Sequence, residues 1–216
     1  MNNVKKSIGW CDYTWNPVTG CSPVSEGCEN CYAAALSKRF GWTWGKPVFH
    51  PERLDEPMKL KKPSKIFVCS MGDLFHPDTP IPAQSAVWDT AYACPRHTFL
   101  ILTKRVLNMR NVLFATNHFR FGVLNNIWLG ATVENQARAN ERIPILLETP
   151  AAKHFVSVEP MLGSVFVTSS IDWVIAGPEN GAGKRPCNPK WIDDLSKQSP
   201  CFYDKRKGAQ RKEWPV

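Results

Sequence analysis

Short apolar runs punctuate this chain, and their composition marks them as one kind of element. They are KIFVCS (65–70), TFLILT (98–103), NIWLGAT (126–132), HFVSV (154–158), DWVIAG (172–177) and CFY (201–203). Most are rich in Val, Ile, Phe or Trp and are apolar on both faces, which is how buried parallel strands read. Amphipathic patterns separate them: Ala83, Ala86, Val87 and Ala91 recur at helical spacing, as do Ile143, Leu146 and Leu147. Pro189 followed by KWIDDLSK predicts another helix, with the proline in its first turn. Successive runs start about thirty residues apart, the length of a βαβ unit. Only the step from 154 to 172 is too short for a full crossover helix. A first strand is expected around DYTWNPVTGC (12–21). The expected fold class is α/β: a partial, open parallel β/α barrel of six to seven strands, with a doubly wound sheet as the alternative. One domain is expected over 1–216, ending in a basic C-terminal tail at 205–216.

The residues just past each run carry the polarity that the runs lack. They are Met71-Gly72-Asp73, Lys104-Arg105, Glu134-Asn135, Glu159-Pro160, Glu179-Asn180 and Asp204-Lys205. Parallel strands bring their C-terminal ends to one face, where barrels and open α/β sheets build ligand sites. Loops are polar in any case, which accounts for part of the pattern. A carboxylate directly after an apolar strand nevertheless recurs, and one polar, ligand-binding mouth is the expectation.

Composition narrows the class. The apolar runs are far too short to cross a bilayer, and no apolar stretch follows the two lysines near the start as a secretory signal requires. A cytoplasmic protein with no membrane partner is expected. In that reducing compartment the eight cysteines do not imply disulfides, and a close cluster points to metal or redox chemistry. Cys69 and Cys94, in apolar surroundings, read as small core residues, and Cys11, Cys187 and Cys201 lack a partner spacing. A net charge of +8 with nine tryptophans raises nucleic-acid contact as a possibility, because cations attract phosphate and rings stack on bases. The bland alternative is that the rings fill the core and that the basic runs KLKKPSK (59–65) and KRKGAQRK (205–212) are solvated surface.

The cluster is GCSPVSEGCENCYAAAL (20–36), in which Cys21, Cys28 and Cys31 follow a C-x6-C-x2-C spacing. It falls in the loop after the first strand, and YAAALSKRF behind it is a good helix former. Cys28 and Cys31 then flank a turn near a helix N-terminus, where the dipole favours thiolate. A structural zinc site is normally closed by four protein ligands. His50 or His76 could complete one, but neither has a paired spacing and no second C-x2-C exists. A [4Fe-4S] cluster held by three cysteines instead leaves one iron open to a small molecule. Iron–sulfur, zinc and no metal are the three readings.

Three thiols in the first βα loop of a partial barrel resemble the arrangement of radical S-adenosylmethionine enzymes. There the open iron chelates the cofactor, and electron transfer cleaves it. This sequence departs from that pattern in its six-residue first spacing and in Asn30, which stands where an aromatic residue is usual, with the aromatic displaced to Tyr32. More closely, the chain is similar to a family of uncharacterised phage and prophage proteins thought to be related to that superfamily. The stretches that carry the likeness are TWNPVTGCSPVSEGCENCYA (14–33), IFVCSMGDLFH (66–76), HTFLILTKR (97–105), IWLGATVENQ (127–136), RIPILLETPAAKHFVSVEPMLG (142–163) and WVIAGPENGAGKRP (173–186). The resemblance makes Cys21, Cys28 and Cys31 the cluster ligands. It implies that Glu134, Glu159, Glu179 and Asn180 bind S-adenosylmethionine, and that Asp73, Lys104 and Arg105 are catalytic, with the two cations holding an anionic substrate group. At Asn180 the family more often has Thr or Ser.

Other motifs fail. GPENGAGKRP tempts a P-loop reading, but Gly177 to Gly183 is one residue too long and Arg185 stands where Ser or Thr binds magnesium. It reads as a tight glycine turn over a ligand. No histidine pair has a metalloprotease spacing, and no G-x-S-x-G supports a hydrolase. Asp73 and His76 could serve acid/base work or form a loop-satisfied pair. The functional expectation is an iron–sulfur, S-adenosylmethionine-dependent enzyme whose substrate class is a nucleotide or nucleic acid. The alternative is a zinc-stabilised, non-catalytic nucleic-acid-binding or host-interaction protein. The sequence leaves the oligomeric state open.

Overall fold

The structure is a computed structural model that describes residues 1–119, 122–181, 183–206, 214 and 215. Its strands, in chain order, are β1 (Asn2–Asn3), β2 (Tyr13–Trp15), β3 (Val18–Thr19), β4 (Val48–Phe49), β5 (Lys65–Val68), β6 (Thr98–Thr103), β7 (Ile127–Thr132), β8 (Lys153–Val158), β9 (Trp173–Ala176) and β10 (Phe202–Asp204). Its α-helices are α1 (Tyr32–Phe40), α2 (Ile81–Ala93), α3 (Val106–Ala115), α4 (Gln136–Glu148) and α5 (Pro189–Ser196). Eight strands form one sheet in the order β1-β2-β5-β6-β7-β8-β9-β10, while β3 and β4 pair antiparallel by themselves. From β2 to β10 every neighbouring pair is parallel.

The strand order never reverses, so right-handed crossovers must place their helices on the same side of the sheet. The core shows this directly. Trp88 of α2, Met109 of α3, Leu146 of α4 and Ile192 of α5 pack with one set of strand residues, among them Ile66, Phe99, Ile101, Leu129, Val156 and Val174. The alternate strand residues Phe67, Leu100, Trp128, Phe155, Trp173, Ile175 and Tyr203 form a separate cluster with Trp10 on the other face. A doubly wound sheet would carry helices on both faces. With helices on one face only, the sheet curls into an open, partial parallel β/α barrel whose interior is the aromatic cluster.

The expected strands occur within a residue or two of their predicted positions. The first is interrupted: Asn16 and Pro17 separate β2 from β3, and Gly20 then rejoins the sheet direction by bridging Gly72 in parallel. Strands β1 and β4 and helix α3 have no expectation above, although Val106, Met109, Val112 and Leu113 of α3 are buried at helical spacing. Between β8 and β9 no helix forms among the described residues, and Met161, Val165, Val167 and Ile171 fill its place in the core as an extended segment. No helix among the described residues is long and apolar enough to cross a membrane. Of the basic tail, 207–213 and 216 lie outside the described residues.

Candidate active site at the mouth of the half-barrel

Side chains alternate along a strand, so the inward rows of the barrel can be followed past the strand ends. On β6 the row runs Leu100, Leu102, Lys104; on β8, Phe155, Ser157, Glu159; on β9, Trp173, Ile175, Gly177, Glu179; on β10, Tyr203, Lys205. Each row changes from aromatic or aliphatic to charged as it reaches the C-terminal mouth. Gly130 on β7 is small for a packing reason, since a Cβ there would stand 2.4 Å from the Phe155 ring. Gly177 leaves room for an ion pair in the same way, since its Cβ would stand 2.6 Å from Glu159 Oε1.

The cysteine loop, 20–31, lies across this mouth and is bonded from one strand end after another. Arg105 donates to the Ser22 carbonyl (2.8 Å) and to Cys21 Sγ (3.3 Å), and is paired with Asp73 (3.0 Å). Ser22 Oγ bonds His76 Nε2 at 2.7 Å. Lys104 Nζ donates to the Gly27 carbonyl (3.0 Å) and to Cys28 Sγ (3.5 Å). Ser25 Oγ donates to Glu134 at 2.6 Å, and that carboxylate also pairs with Lys104 (3.2 Å) and Arg142 (3.0 Å). Gly27 has to be glycine for this carboxylate to reach under the loop, because a Cβ would stand 2.4 Å from Glu134 Oε1. Asn135 caps α4 by accepting from Arg138 N, and both residues bind Glu26. At the far end Asn30 donates to Glu179 (3.0 Å) and to the Gly183 carbonyl (3.1 Å). Arg185 joins Glu179 (2.5 Å) to Glu29 (2.9 Å).

Beneath the loop is a cavity of about 370 Å³. Cys21, Cys28 and Cys31 all line it, with Lys104 and Arg105 beside two of the three sulfurs. The two cations act unequally. Burial pushes the Cys28 thiol up, but the Lys104 ammonium and bonds from the Val24 and Ser25 backbone outweigh it, and the net shift is downward. At Cys21, burial and the Asp73 carboxylate outweigh Arg105, and the thiol is raised. Cys28 is therefore the readier thiolate.

Cys69 also reaches this cavity, so it is not only the core residue its sequence context suggested. It follows β5 in a left-handed conformation, φ 56°. Burial pushes its thiol up to about 12, which keeps it protonated and a poor metal ligand. Among the described residues no three His, Cys, Asp or Glu side chains converge closely enough to hold a single metal ion.

Asp73, Lys104, Arg105, Glu159, Glu179 and Asn180 all line the cavity. Glu134 does not: it is fully buried below the loop, held by Ser25, Lys104 and Arg142. The structure therefore places it below the loop and apart from the lining where a cofactor contact was expected. Asp73 accepts from Phe75 N, Thr103 and Arg105, and His76 is occupied by Ser22, which is the loop-satisfied arrangement. The GPENGAGKRP turn closes through Arg185 on the cysteine loop. Several residues had no sequence signal: Ser22, Ser25 and Arg185 act through partners distant in the chain, and Arg142 reaches back from α4 to Glu134. Asn30 has a visible reason to differ from the aromatic pattern, since its amide joins the loop to Glu179. Tyr32 lines the cavity while its hydroxyl donates to the Ser70 carbonyl.

Comparison with curated protein sequences gives no match. Among solved structures, a mutant form of spore photoproduct lyase superposes with a TM-score of 0.49 at 12% identity, covering 72% of this chain and 47% of that one. The chain thus spans about half the length of that structure. A family model covers residues 5–211, nearly the whole sequence, and by that match the chain belongs to the family of proteins of unknown function DUF5131.

Proposed function

We propose that this chain is a [4Fe-4S] enzyme of radical S-adenosylmethionine type, in which Cys21, Cys28 and Cys31 hold three irons and the fourth stays open to the cofactor. The observation that carries the reading is the placement of three thiols around one cavity at the C-terminal mouth of an open parallel barrel. The donor chemistry fits. Thiolates are the ligands of such clusters, and three spread around a cavity without converging on a point suit a polynuclear group better than a single zinc ion. When bound, the cluster would supply the one-electron reduction that cleaves the cofactor.

The chain's own residues prepare the site. Lys104 and Arg105 neutralise thiolate charge at Cys28 and Cys21, and Glu134 and Glu179 hold the loop that carries the ligands. Glu159, paired with Lys205 at 3.0 Å, and Asn180 offer polar groups to the amino, carboxylate and ribose parts of the cofactor. The resemblance of the sequence to phage and prophage proteins suggests a role in that setting.

Purification without oxygen, followed by iron, sulfide and zinc assays and reduction with S-adenosylmethionine, tests the reading. Iron and sulfide near four per chain, with release of 5′-deoxyadenosine, are expected. Stoichiometric zinc without iron would overturn it in favour of a zinc-stabilised binding protein. Cys28→Ala should lose the bound iron, and full occupancy in that variant would refute the ligand assignment.

A further inference from the structure

Between Glu29 and Glu52 the chain has no carboxylate, while Lys38, Arg39 and Lys46 flank Phe40, Trp42 and Trp44. Helix α1 ends at Gly41, whose left-handed φ of 67° swings the chain outward and sets Trp42 beside Phe40. The two rings are 54% and 55% exposed and stack on each other, centroids 5.0 Å apart and planes 26° from parallel. Arg39 lies 5.4 Å from the centroid of the Phe40 ring. Lys38, Arg39 and Lys46 are exposed, and no carboxylate pairs with them among the described residues. The cations of the mouth are different: Lys104, Arg105, Arg142, Arg185 and Lys205 are all paired.

The same loop reaches two cavities. Trp44 lines the thiol cavity, and Trp42 lines a second cavity of about 630 Å³ with Asn16, His50 and Arg53. Large apolar rings left in water mark an interaction surface more often than a folding device. Stacked rings among unpaired cations match one chemistry closely. Every base has a planar face for the rings, and every phosphate a charge for the cations. A duplex hides its base faces, so the rings favour unpaired bases.

We propose that Phe40, Trp42 and Trp44, with Lys38, Arg39 and Lys46, form a platform for single-stranded nucleic acid that leads an unpaired base toward the thiol cavity. Binding to the platform stands on the geometry of this loop alone, and only delivery to the cavity rests on the enzymatic reading above. The test uses the full chain purified without oxygen, its metal content recorded, and fluorescently labelled oligo-dT and oligo-U of about 12 nucleotides. Both should bind, and the ratio of their affinities decides between DNA and RNA. Trp42→Ala should weaken binding roughly tenfold while Trp42→Phe retains most of it. Changing Lys38, Arg39 and Lys46 together to Gln should lower the slope of log affinity against log salt by about 2. These side chains are exposed, so unchanged metal content and circular dichroism are expected in every variant. Equal affinity of variants and wild type, preference for duplex, or equal binding to phosphatidylglycerol vesicles would overturn the platform. Oligonucleotide binding by a protein without iron would overturn the enzymatic reading and leave the platform standing. Loaded iron and cofactor cleavage with no oligonucleotide binding would do the reverse.

Discussion

The two ends of the barrel interior are built on the same inward rows, yet they are held together by different forces. At the floor, Trp10, Phe67, Trp128, Phe155 and Trp173 pack ring against ring and Tyr203 joins their cluster, with Trp10 and Phe67 centroids 4.7 Å apart. At the mouth, two to six residues further along the same strands, Lys104, Glu134, Glu159, Glu179 and Lys205 make ion pairs, and Lys104, Glu134 and Glu179 carry the cysteine loop. Burial of apolar area is non-directional, so the floor fixes where the strands sit without fixing a loop. Charge-assisted hydrogen bonds are short and directional, so the mouth can hold three thiols in place. The difference teaches that Glu134 and Glu179 directly, and Asp73 through Arg105, anchor the ligand-bearing loop.

Removing the deepest anchor is the strongest way to break this comparison. Glu134→Ala leaves Arg142, 2% exposed, without its carboxylate, and should destabilise the protein by about 3–5 kcal/mol in urea unfolding. A loss below about 1 kcal/mol would mean that the mouth is screened like a surface and that its ion pairs do not hold the loop. Gly130→Ala probes the floor. Its Cβ would collide with the Phe155 ring, so a loss of about 1–3 kcal/mol is expected, largely recovered when Phe155→Leu is added. If the second change gives no recovery, the interior is not packed by that pair.

The smallest effect is a pH dependence. Arg185, through side-chain and backbone bonds, holds the Glu179 carboxyl down to about 2 from an ordinary 4.5, against the opposing effect of burial. The folded state therefore binds the proton less readily than the unfolded one. The stability this contributes is complete above about 4.5 and is lost as pH falls toward about 2. Urea midpoints across that range should fall less steeply in Glu179→Gln than in wild type. Equal slopes would remove Glu179 from the set of loop anchors.

The parts of this architecture legible in the sequence are those that depend on near neighbours. Apolar runs such as TFLILT and WVIAG announce buried parallel strands because both faces of each are covered. Cys21, Cys28 and Cys31 announce a shared site because eleven residues cannot carry them far apart. The partners of the loop were not legible in the same way. Ser25 meets Glu134 across 109 residues and Asn30 meets Glu179 across 149, and no local pattern encodes such pairs. Cys69 shows the same limit, since its apolar neighbours described its burial but not its reach into the cavity.

By itself, the sequence determined the parallel strands, the cysteine spacing and the belt of charge beyond the strand ends, because periodicity and spacing act within a few residues. Only the tertiary structure decided that the helices share one face, that Glu134 anchors the loop from below the cavity, and that Trp42 and Trp44 line two different cavities. Those outcomes depend on sheet curvature and on which distant charges meet, and both are set when the strands close around the aromatic floor.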